Sequence, residues 1–412
     1  MVILMILLAL VSGLCLLAVG PLLMNGQQEA MLFLLIVVTQ LVPLRAVAGF
    51  VTVLRKNRQI SLTAVLLLLF EVGILSLLVV LPFLSQRAFL VFLLAYLSFL
   101  VAVKGVDTYL YARARTWPFF VASVVATVLG AELFRVILFN VRGGREQAIF
   151  VAIGVLLMIF GTGQICDLMT LLVKHRKVNK VLRNIRLALP DLTGLLIPLR
   201  IAELLPRAPL SCNGADHRGK IEVLFQVSPH GISVAGHCEL CVDGWTYTYG
   251  AYDPEYQHLF KTVGQGILIK APRDAYLAYC QKHFKKKLIC YTLCLSLEQE
   301  AIVHREIAAL DTALIPWTPA LPAKTYASRL QQIPGLHFYR IVTGRFRRYF
   351  IPTINCVTLT DSLLGDTELG HAHIMGIKTP GAYLDHLERH YLSETGLVTD
   401  RHVLVLPDDR AV

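Results

Sequence analysis

The stretch that decides the fold of the second half of the chain is residues 231–250, GISVAGHCELCVDGWTYTYG. Polar and apolar side chains alternate on either side of Asp243-Gly244, which is typical of two half-buried strands. An Asp-Gly pair between two such runs favours a two-residue hairpin turn, because both residues tolerate a positive φ. The stretch therefore predicts a β-hairpin in which Val242 faces Trp245.

His237 lies on the first strand of this hairpin. The same register places Glu239, Cys241, Thr246 and Thr248 on the side of the sheet to which His237 points. His237 is therefore a candidate general base, and Glu239 is the candidate that would orient its imidazole. The alternative for Glu239 is a solvated strand carboxylate.

A second short motif lies further along the chain. Asn355-Cys356 opens a predicted helix, TINCVTLTDSLLG, which ends at Gly365. A thiol in the first turn of a helix faces unpaired backbone N–H groups, which favour the thiolate and can hold a developing oxyanion. With His237 as base, Cys356 is the predicted nucleophile. A buried structural thiol is the alternative.

Other groups with metal-capable side chains point less clearly to chemistry. Cys238 and Cys241 have CxxC spacing, but residues three apart on a strand point to opposite faces. We interpret one further group as a polar loop: Asp366, Glu368, His371 and His373. We interpret His386 and His390 as part of a solvated helix face. The sequence therefore predicts no metal and no cofactor.

The rest of the second half alternates strand and helix patterns. Ser296 and Gln299 form a predicted capping box at the start of one helix. We predict strands at 220–227, 266–271, 287–295, 336–342 and 402–406, and helices at 272–284, 297–310 and 381–394. This mixture predicts an α+β domain over 220–412, with helices on one face of a sheet.

The first half has the composition of a membrane protein. Of the 412 residues, 55% are hydrophobic and only 16% are charged, which excludes a purely soluble chain. Six apolar windows predict a multi-pass membrane domain of six helices over 1–174: 1–24, 31–54, 61–84, 88–103, 118–140 and 148–173. The window 88–103 is long enough only if it continues through Lys104. The first window lacks a basic start, so we expect a retained helix there rather than a signal peptide.

Basic residues border the predicted spans. Residues 1–190 hold 17 Lys and Arg against 6 Asp and Glu, which is the whole net charge of +11, so the remainder is neutral and no nucleic-acid partner is expected. One side of the membrane collects Arg55, Lys56, Arg58, Lys104, Arg113, Arg115, Lys174, Arg176, Lys177, Lys180, Arg183 and Arg186. The other side has Arg87, Arg142 and Arg145. The bias predicts a cell-membrane protein with both termini in the cytoplasm.

Between the two halves, residues 175–219 are predicted to be a basic juxtamembrane segment. Its apolar part, 192–205, is too short to span a membrane and predicts an interfacial or re-entrant helix. Residues 206–219 predict a linker, because prolines, Asn213-Gly214 and Gly219 interrupt any regular pattern.

Ionisable residues inside the predicted spans allow a second class of function. They are Arg45, Glu71, Glu132, Arg135 and Asp167. Glu132 and Arg135 can pair on one helix face, since they are three residues apart. Such residues are typical of an ion path in a transporter or sensor, or they tie helices together.

Three stretches together resemble known enzymes: GHCELCVDGWTYTYGAYD, YTLCLSLEQE and HFYRIVTGRFRRYFIPTINCVTLTDSLLG. A strand histidine followed by a helix-start Asn-Cys resembles the circularly permuted papain-like fold of the lecithin:retinol acyltransferase type. The similarity is closer to a bacterial membrane-associated domain family that includes lipoprotein N-acyltransferases, and it covers about 220–365.

The resemblance implies Cys356 as nucleophile, His237 as base and Asn355 as a supporting polar group. It implies an acyl transfer from a membrane phospholipid or lipoprotein ester to an amine or hydroxyl, with lipoproteins as the implied acceptor. This chain departs from the permuted papain pattern because no second histidine follows His237 closely. A cysteine amidase, peptidase or lipid hydrolase is the alternative, and an outward-facing lipoprotein substrate conflicts with the predicted cytoplasmic side.

Overall fold

A computed structural model divides the chain into two compact units, Met1–Leu189 and Pro190–Val412. The predicted membrane segment 1–174 lies within the first unit, and the predicted domain 220–412 lies within the second. Apart from isolated positions, the structure describes residues 86–142, 207–209, 220–227, 236–284, 287–319, 325–365, 378–392 and 396–405.

The first unit contains two long apolar helices, α1 (Gln86–Arg113) and α2 (Trp117–Arg142). Both are long and apolar enough to cross a membrane. Leucines of α1 and Ile137 of α2 share one buried cluster, so the helices pack against each other. The windows 88–103 and 118–140 are thus confirmed as helices, and the other four lie almost entirely outside the described residues.

The window 88–103 continues through Lys104, as its length required, because α1 extends to Arg113. Lys104 is buried with its Nζ 3.7 Å from Oδ2 of Asp107. The predicted pair of Glu132 and Arg135 is confirmed, with 2.8 Å between Oε2 and Nε. The other ionisable residues predicted inside the spans lie outside the described part of the chain.

The second unit is built on a nine-stranded sheet. Its strands are β1 (Arg207–Pro209), β2 (Ile221–Val227), β3 (His237–Val242), β4 (Trp245–Gly250), β6 (Ile267–Pro272), β7 (Lys287–Leu293), β8 (Leu314–Pro316), β9 (His337–Ile341) and β11 (Val398–Val405). The order is β1-β11-β7-β2-β3-β4-β6-β9-β8, antiparallel throughout except for the parallel pair β1 and β11. A separate two-stranded ribbon pairs β5 (Val263–Gln265) with β10 (Arg348–Phe350).

The predicted hairpin between β3 and β4 is confirmed in type and register. Val242 pairs with Trp245, and the turn residues Asp243 and Gly244 have φ values of 51° and 77°. A positive φ at both positions twists the turn in the same sense as the strands, which is why Asp-Gly suits it. The strand β3 begins at His237, and the preceding predicted positions 231–235 lie outside the described residues.

Helices cover both faces of the sheet, so the predicted one-faced arrangement is wrong. One face carries α4 (Leu297–Asp311), α6 (Cys356–Leu364) and α7 (Pro380–Leu392), and the other carries α3 (Arg273–Phe284) and α5 (Tyr326–Leu330). The physical reason is that the central strands are apolar on both sides: Leu240 joins one core cluster and Cys241 joins the other. The predicted capping box of Ser296 and Gln299 at the start of α4 is confirmed.

The predicted linker also contains a strand. Arg207–Pro209 pairs with Val403–Val405 at the edge of the sheet, so the sheet reaches back before residue 220. The predicted interfacial segment 192–205 lies outside the described residues.

Candidate active site

The candidate nucleophile occupies the predicted position at a helix start. Cys356 is the first residue of α6, and Asn355 is its N-cap. The Asn355 Oδ1 accepts a hydrogen bond from the Thr358 backbone N–H at 3.0 Å, and the Asn355 N–H donates to Thr358 Oγ1 at 2.8 Å. These reciprocal bonds satisfy backbone groups that a helix start otherwise leaves unpaired.

The amide of Asn355 also holds neighbouring chain segments in place. Its Nδ2 donates to the carbonyl oxygens of Ile351 at 2.8 Å and Lys378 at 2.9 Å. The predicted supporting role of Asn355 therefore takes the form of a cap, which fixes the position of Cys356 through the backbone.

The Cys356 thiol lies among backbone donors. The backbone N–H groups of Cys238 and Val357 lie close enough to its sulfur to favour the charged form. The pKa of the Cys356 thiol is raised to about 11: burial is the largest cause, the charge of Glu239 also raises the pKa, and the N–H groups lower it. The donors act in the direction that a helix start predicts, but burial outweighs them, so the thiol is protonated at neutral pH.

A contact between α6 and β3 brings the helix start at Cys356 against the strand that begins with His237. Cys238, whose N–H lies close to the Cys356 sulfur, directly follows His237 in the chain. The side chains of Cys238 and Leu240 lie in the same core cluster as Val357 of α6. Burying these apolar side chains presses the start of α6 against the start of β3.

The imidazole of His237 lies among hydroxyl groups and a carboxylate, on the face of β3 that is opposite to α6. Its Nε2 lies 2.6 Å from Oγ1 of Thr248, 3.3 Å from the hydroxyl of Tyr252 and 3.8 Å from Oε1 of Glu239. The imidazole is about one-fifth exposed, whereas Glu239 is fully buried. The imidazole is thus reachable from solvent on one side and held by hydroxyl groups on the other.

Glu239 lies close enough to act on the imidazole, but Thr248 is the nearer partner of Nε2. The carboxylate accepts hydrogen bonds from the Gln226 amide and from the Tyr276 hydroxyl, each at 2.7 Å. Because its side chain is buried, the alternative of a solvated strand carboxylate is wrong.

The candidate site therefore spans the first residues of β3. The thiol approaches from the α6 face, and the carboxylate and hydroxyl groups lie on the α3 face, where Glu239, Gln226 and Tyr276 meet. His237 is the first residue of the strand, and its ring lies among the hydroxyl groups on the α3 face. Such an arrangement supplies a thiol, a base and aligned N–H donors within one small region.

Sequence reasoning missed three tyrosines that contribute to this region. Tyr252 follows β4, Tyr276 lies on α3, and Tyr349 lies on β10, where its hydroxyl donates to the Cys356 sulfur. Burial raises the pKa of all three hydroxyls, so each stays a neutral hydrogen-bond donor. Of the three, only Tyr252 could have been predicted from the sequence, because it follows the strand β4, whose pairing with β3 placed Thr248 on the His237 side.

The other metal-capable groups do not meet at this site. Among the residues that the structure describes, no group of three or more His, Cys, Asp or Glu side chains could hold a metal ion. Cys238 and Cys241 belong to core clusters on opposite faces, as their spacing predicts. The cluster of Asp366, Glu368, His371 and His373 lies outside the described residues.

The resemblance to permuted papain-like enzymes rests on the short motifs around His237 and Cys356. The structure bears on those motifs alone, because it places Cys356 beside the residue that follows His237. The family and the fold type that the resemblance implies remain predictions. No protein-family model matches the chain, and no curated protein and no solved structure matches it.

Proposed function

We propose that the chain is a membrane-bound, thiol-dependent acyltransferase in which Cys356 carries the acyl group as a thioester. The observation that carries the proposal is that Cys356, at the start of α6, and Cys238, the residue after His237 on β3, share one buried cluster. Two motifs that are far apart in the sequence therefore lie close together, and in the proposal one supplies the thiol and the other the base.

In the first half of the reaction, the Cys356 thiol attacks the carbonyl carbon of a lipid ester. Because the resting thiol is protonated, His237 must take its proton as the carbon–sulfur bond forms. Nε2 is directed at Thr248, so we assign Nδ1 as the nitrogen that accepts this proton while Nε2–H donates to the hydroxyl. The N–H groups at the start of α6 stabilise the oxyanion, and the alcohol leaves with the proton from His237.

In the second half, an amine or hydroxyl attacks the thioester. His237 removes the proton of the acceptor as the new amide or ester bond forms, and Cys356 leaves as a thiolate that regains this proton. Glu239 and Thr248 hold the imidazole in place in both halves. Water in place of the acceptor would make the same centre a hydrolase.

The proposed donor is a membrane phospholipid or a lipoprotein ester, and the proposed acceptor is a lipoprotein amine. The support is α1 and α2, which are long and apolar enough to cross a membrane. A membrane-held enzyme meets its lipid donor by lateral diffusion. Six spans with cytoplasmic termini are part of the proposal, and a membrane-impermeant thiol reagent applied to whole cells tests on which side Cys294, an exposed cysteine, lies.

Trapping the acyl group on the protein tests the chemistry. Purified full-length protein is incubated with a phospholipid labelled in its acyl chain, and protein-bound label that hydroxylamine releases is measured. We expect label on the wild type and on Cys294→Ala, and loss of at least about 99% in Cys356→Ala, because the nucleophile is gone. Equal labelling of Cys356→Ala would overturn the proposal.

Adding an amine acceptor separates the reaction classes. Transfer of label to the acceptor indicates an acyltransferase, whereas release as free fatty acid at the same rate with and without acceptor indicates a lipid hydrolase. A transporter or sensor with a non-catalytic domain would show no label in any variant.

A further inference from the structure

The turn that precedes β5 has an unusual backbone. Leu259, Phe260 and Lys261 have φ values of 48°, 56° and 66°, which is the left-handed region that L-residues other than glycine rarely adopt. Backbone hydrogen bonds between His258 and Val263 close the turn in both directions. Three strained residues in succession persist only when the surrounding structure holds them, and such strain is concentrated at functional sites.

This backbone pushes apolar side chains into solvent. Phe260 is fully exposed and Leu259 is 56% exposed. Ile351, which is 44% exposed, lies at the same end of the ribbon, because its N–H donates to the carbonyl of Thr262 at 3.0 Å. We call Leu259, Phe260 and Ile351 the apolar tip, and the exposed Lys261 lies beside it.

The apolar tip is joined directly to the candidate active site. The Ile351 carbonyl accepts the hydrogen bond from the Asn355 side chain at 2.8 Å, and Asn355 caps the helix that begins with Cys356. Tyr349, two residues before Ile351, donates to the Cys356 sulfur. A molecule that binds the apolar tip therefore contacts a segment that is hydrogen-bonded to the start of the Cys356 helix.

We propose that the apolar tip inserts into the interfacial layer of a phospholipid bilayer, with Lys261 among the lipid phosphates. A bilayer is the occupant that fits best, since the same chain carries two helices that are able to cross one. A protruding aromatic and two aliphatic side chains beside a cation match the apolar and anionic layers of a membrane surface. The inference deepens the proposed function by placing the lipid ester beside Cys356, and it rests on that function only for the fate of the lipid.

Fluorescence quenching by brominated phospholipids tests the insertion at a single position. In full-length protein with Trp117, Trp245 and Trp317 changed to Phe, Phe260→Trp supplies the only tryptophan. The protein is reconstituted into phosphatidylcholine vesicles with or without phosphatidylglycerol, in which part of the lipid carries bromine on its acyl chains. We expect quenching of Trp fluorescence at position 260 to be at least about twofold stronger than at Leu297→Trp, a control position that is 85% exposed on α4.

Two further variants separate this inference from the chemistry. Adding Cys356→Ala should leave the quenching at position 260 unchanged, so a failure of acyl transfer does not alter this result. Lys261→Glu should weaken the quenching, and more so in vesicles that contain phosphatidylglycerol. Equal quenching at positions 260 and 297 would overturn the proposal, as would a blue shift at position 260 that depends on protein concentration and not on brominated lipid, which would indicate a second copy of the chain.

Discussion

Two buried carboxylates are diagonal neighbours on the β2–β3 pair, since Glu222 pairs with Cys241 and Glu239 pairs with Leu224, and they are held in different ways. Glu222 of β2 makes a two-point ion pair with Arg273, at 2.5 Å from Nε and 3.1 Å from Nη2, and Lys220 lies 3.1 Å away. Glu239 of β3 accepts its hydrogen bonds from an amide and a phenol, and it lies 3.8 Å from the His237 imidazole.

We propose that the difference separates a structural carboxylate from one placed for chemistry. Burial opposes ionisation of Glu222, but Arg273 and Lys220 outweigh burial and lower its pKa, so Glu222 is held in the fold as a charged group. A neutral hydroxyl and a neutral amide hold Glu239 and fix its position near His237. In the proposed reaction, this carboxylate orients the imidazole.

The largest effect should come from removing the cation of the structural pair. Arg273→Met leaves Glu222 buried without its main partner, and we expect a loss of about 3–5 kcal/mol in the free energy of unfolding. Denaturant unfolding of the detergent-purified protein, followed by tryptophan fluorescence, measures the loss. Arg305→Met is the matched control, because Arg305 is exposed and pairs with Glu306 at the surface, where a loss of at most about 1 kcal/mol is expected.

A smaller effect, on rate instead of stability, should follow from changing the other carboxylate. Glu239→Gln keeps the shape of the side chain and removes its charge, so we expect kcat/KM for acyl transfer to fall by about 30-fold, equivalent to about 2 kcal/mol. A large loss of stability with kcat/KM unchanged would instead make Glu239 a structural residue like Glu222.

The smallest effect concerns the dependence of stability on pH. The pKa of Glu222 is lower in the folded protein than its ordinary value of 4.5, so its contribution is present above that pH and is lost as the pH falls through the folded-state value. Glu222→Gln should therefore be less stable than wild type near neutral pH, and the gap should narrow in acid. Thermal unfolding across this range checks the prediction, and a gap that is constant with pH would contradict it.

Local signals in the sequence were sufficient for much of the fold. The Asp243-Gly244 turn and the Ser296 capping box are set by neighbouring residues, so their positions could be predicted. The packing of helices on both faces of the sheet could not be predicted, because the alternation of polar and apolar residues on one strand does not say which helices will cover each side. The β1 strand was also missed, since three residues with a proline carry no strand pattern until β11 pairs with them.

In the candidate site, too, only the residues that a local pattern positions could be predicted. The hairpin register placed Thr248 and Glu239 on the His237 side, and both lie there. The choice of Glu239 as the direct partner was a choice by residue type, whereas the distances favour Thr248. Tyr276 and Tyr349 come from distant elements, so only the folded sheet brings them to the site. The net rise of the thiol pKa could not be predicted, because burial is a property of the packed core.

The order of the strands has a consequence for how the protein is made. β11, the last of the described strands in chain order, lies between β1 and β7 inside the sheet. Until residues 398–405 have left the ribosome, β7 presents an unpaired edge, which is the kind of surface that joins other chains. Completion of the sheet therefore waits for synthesis of β11, after α1 and α2 have emerged, and truncation before β11 should favour aggregation over partial activity.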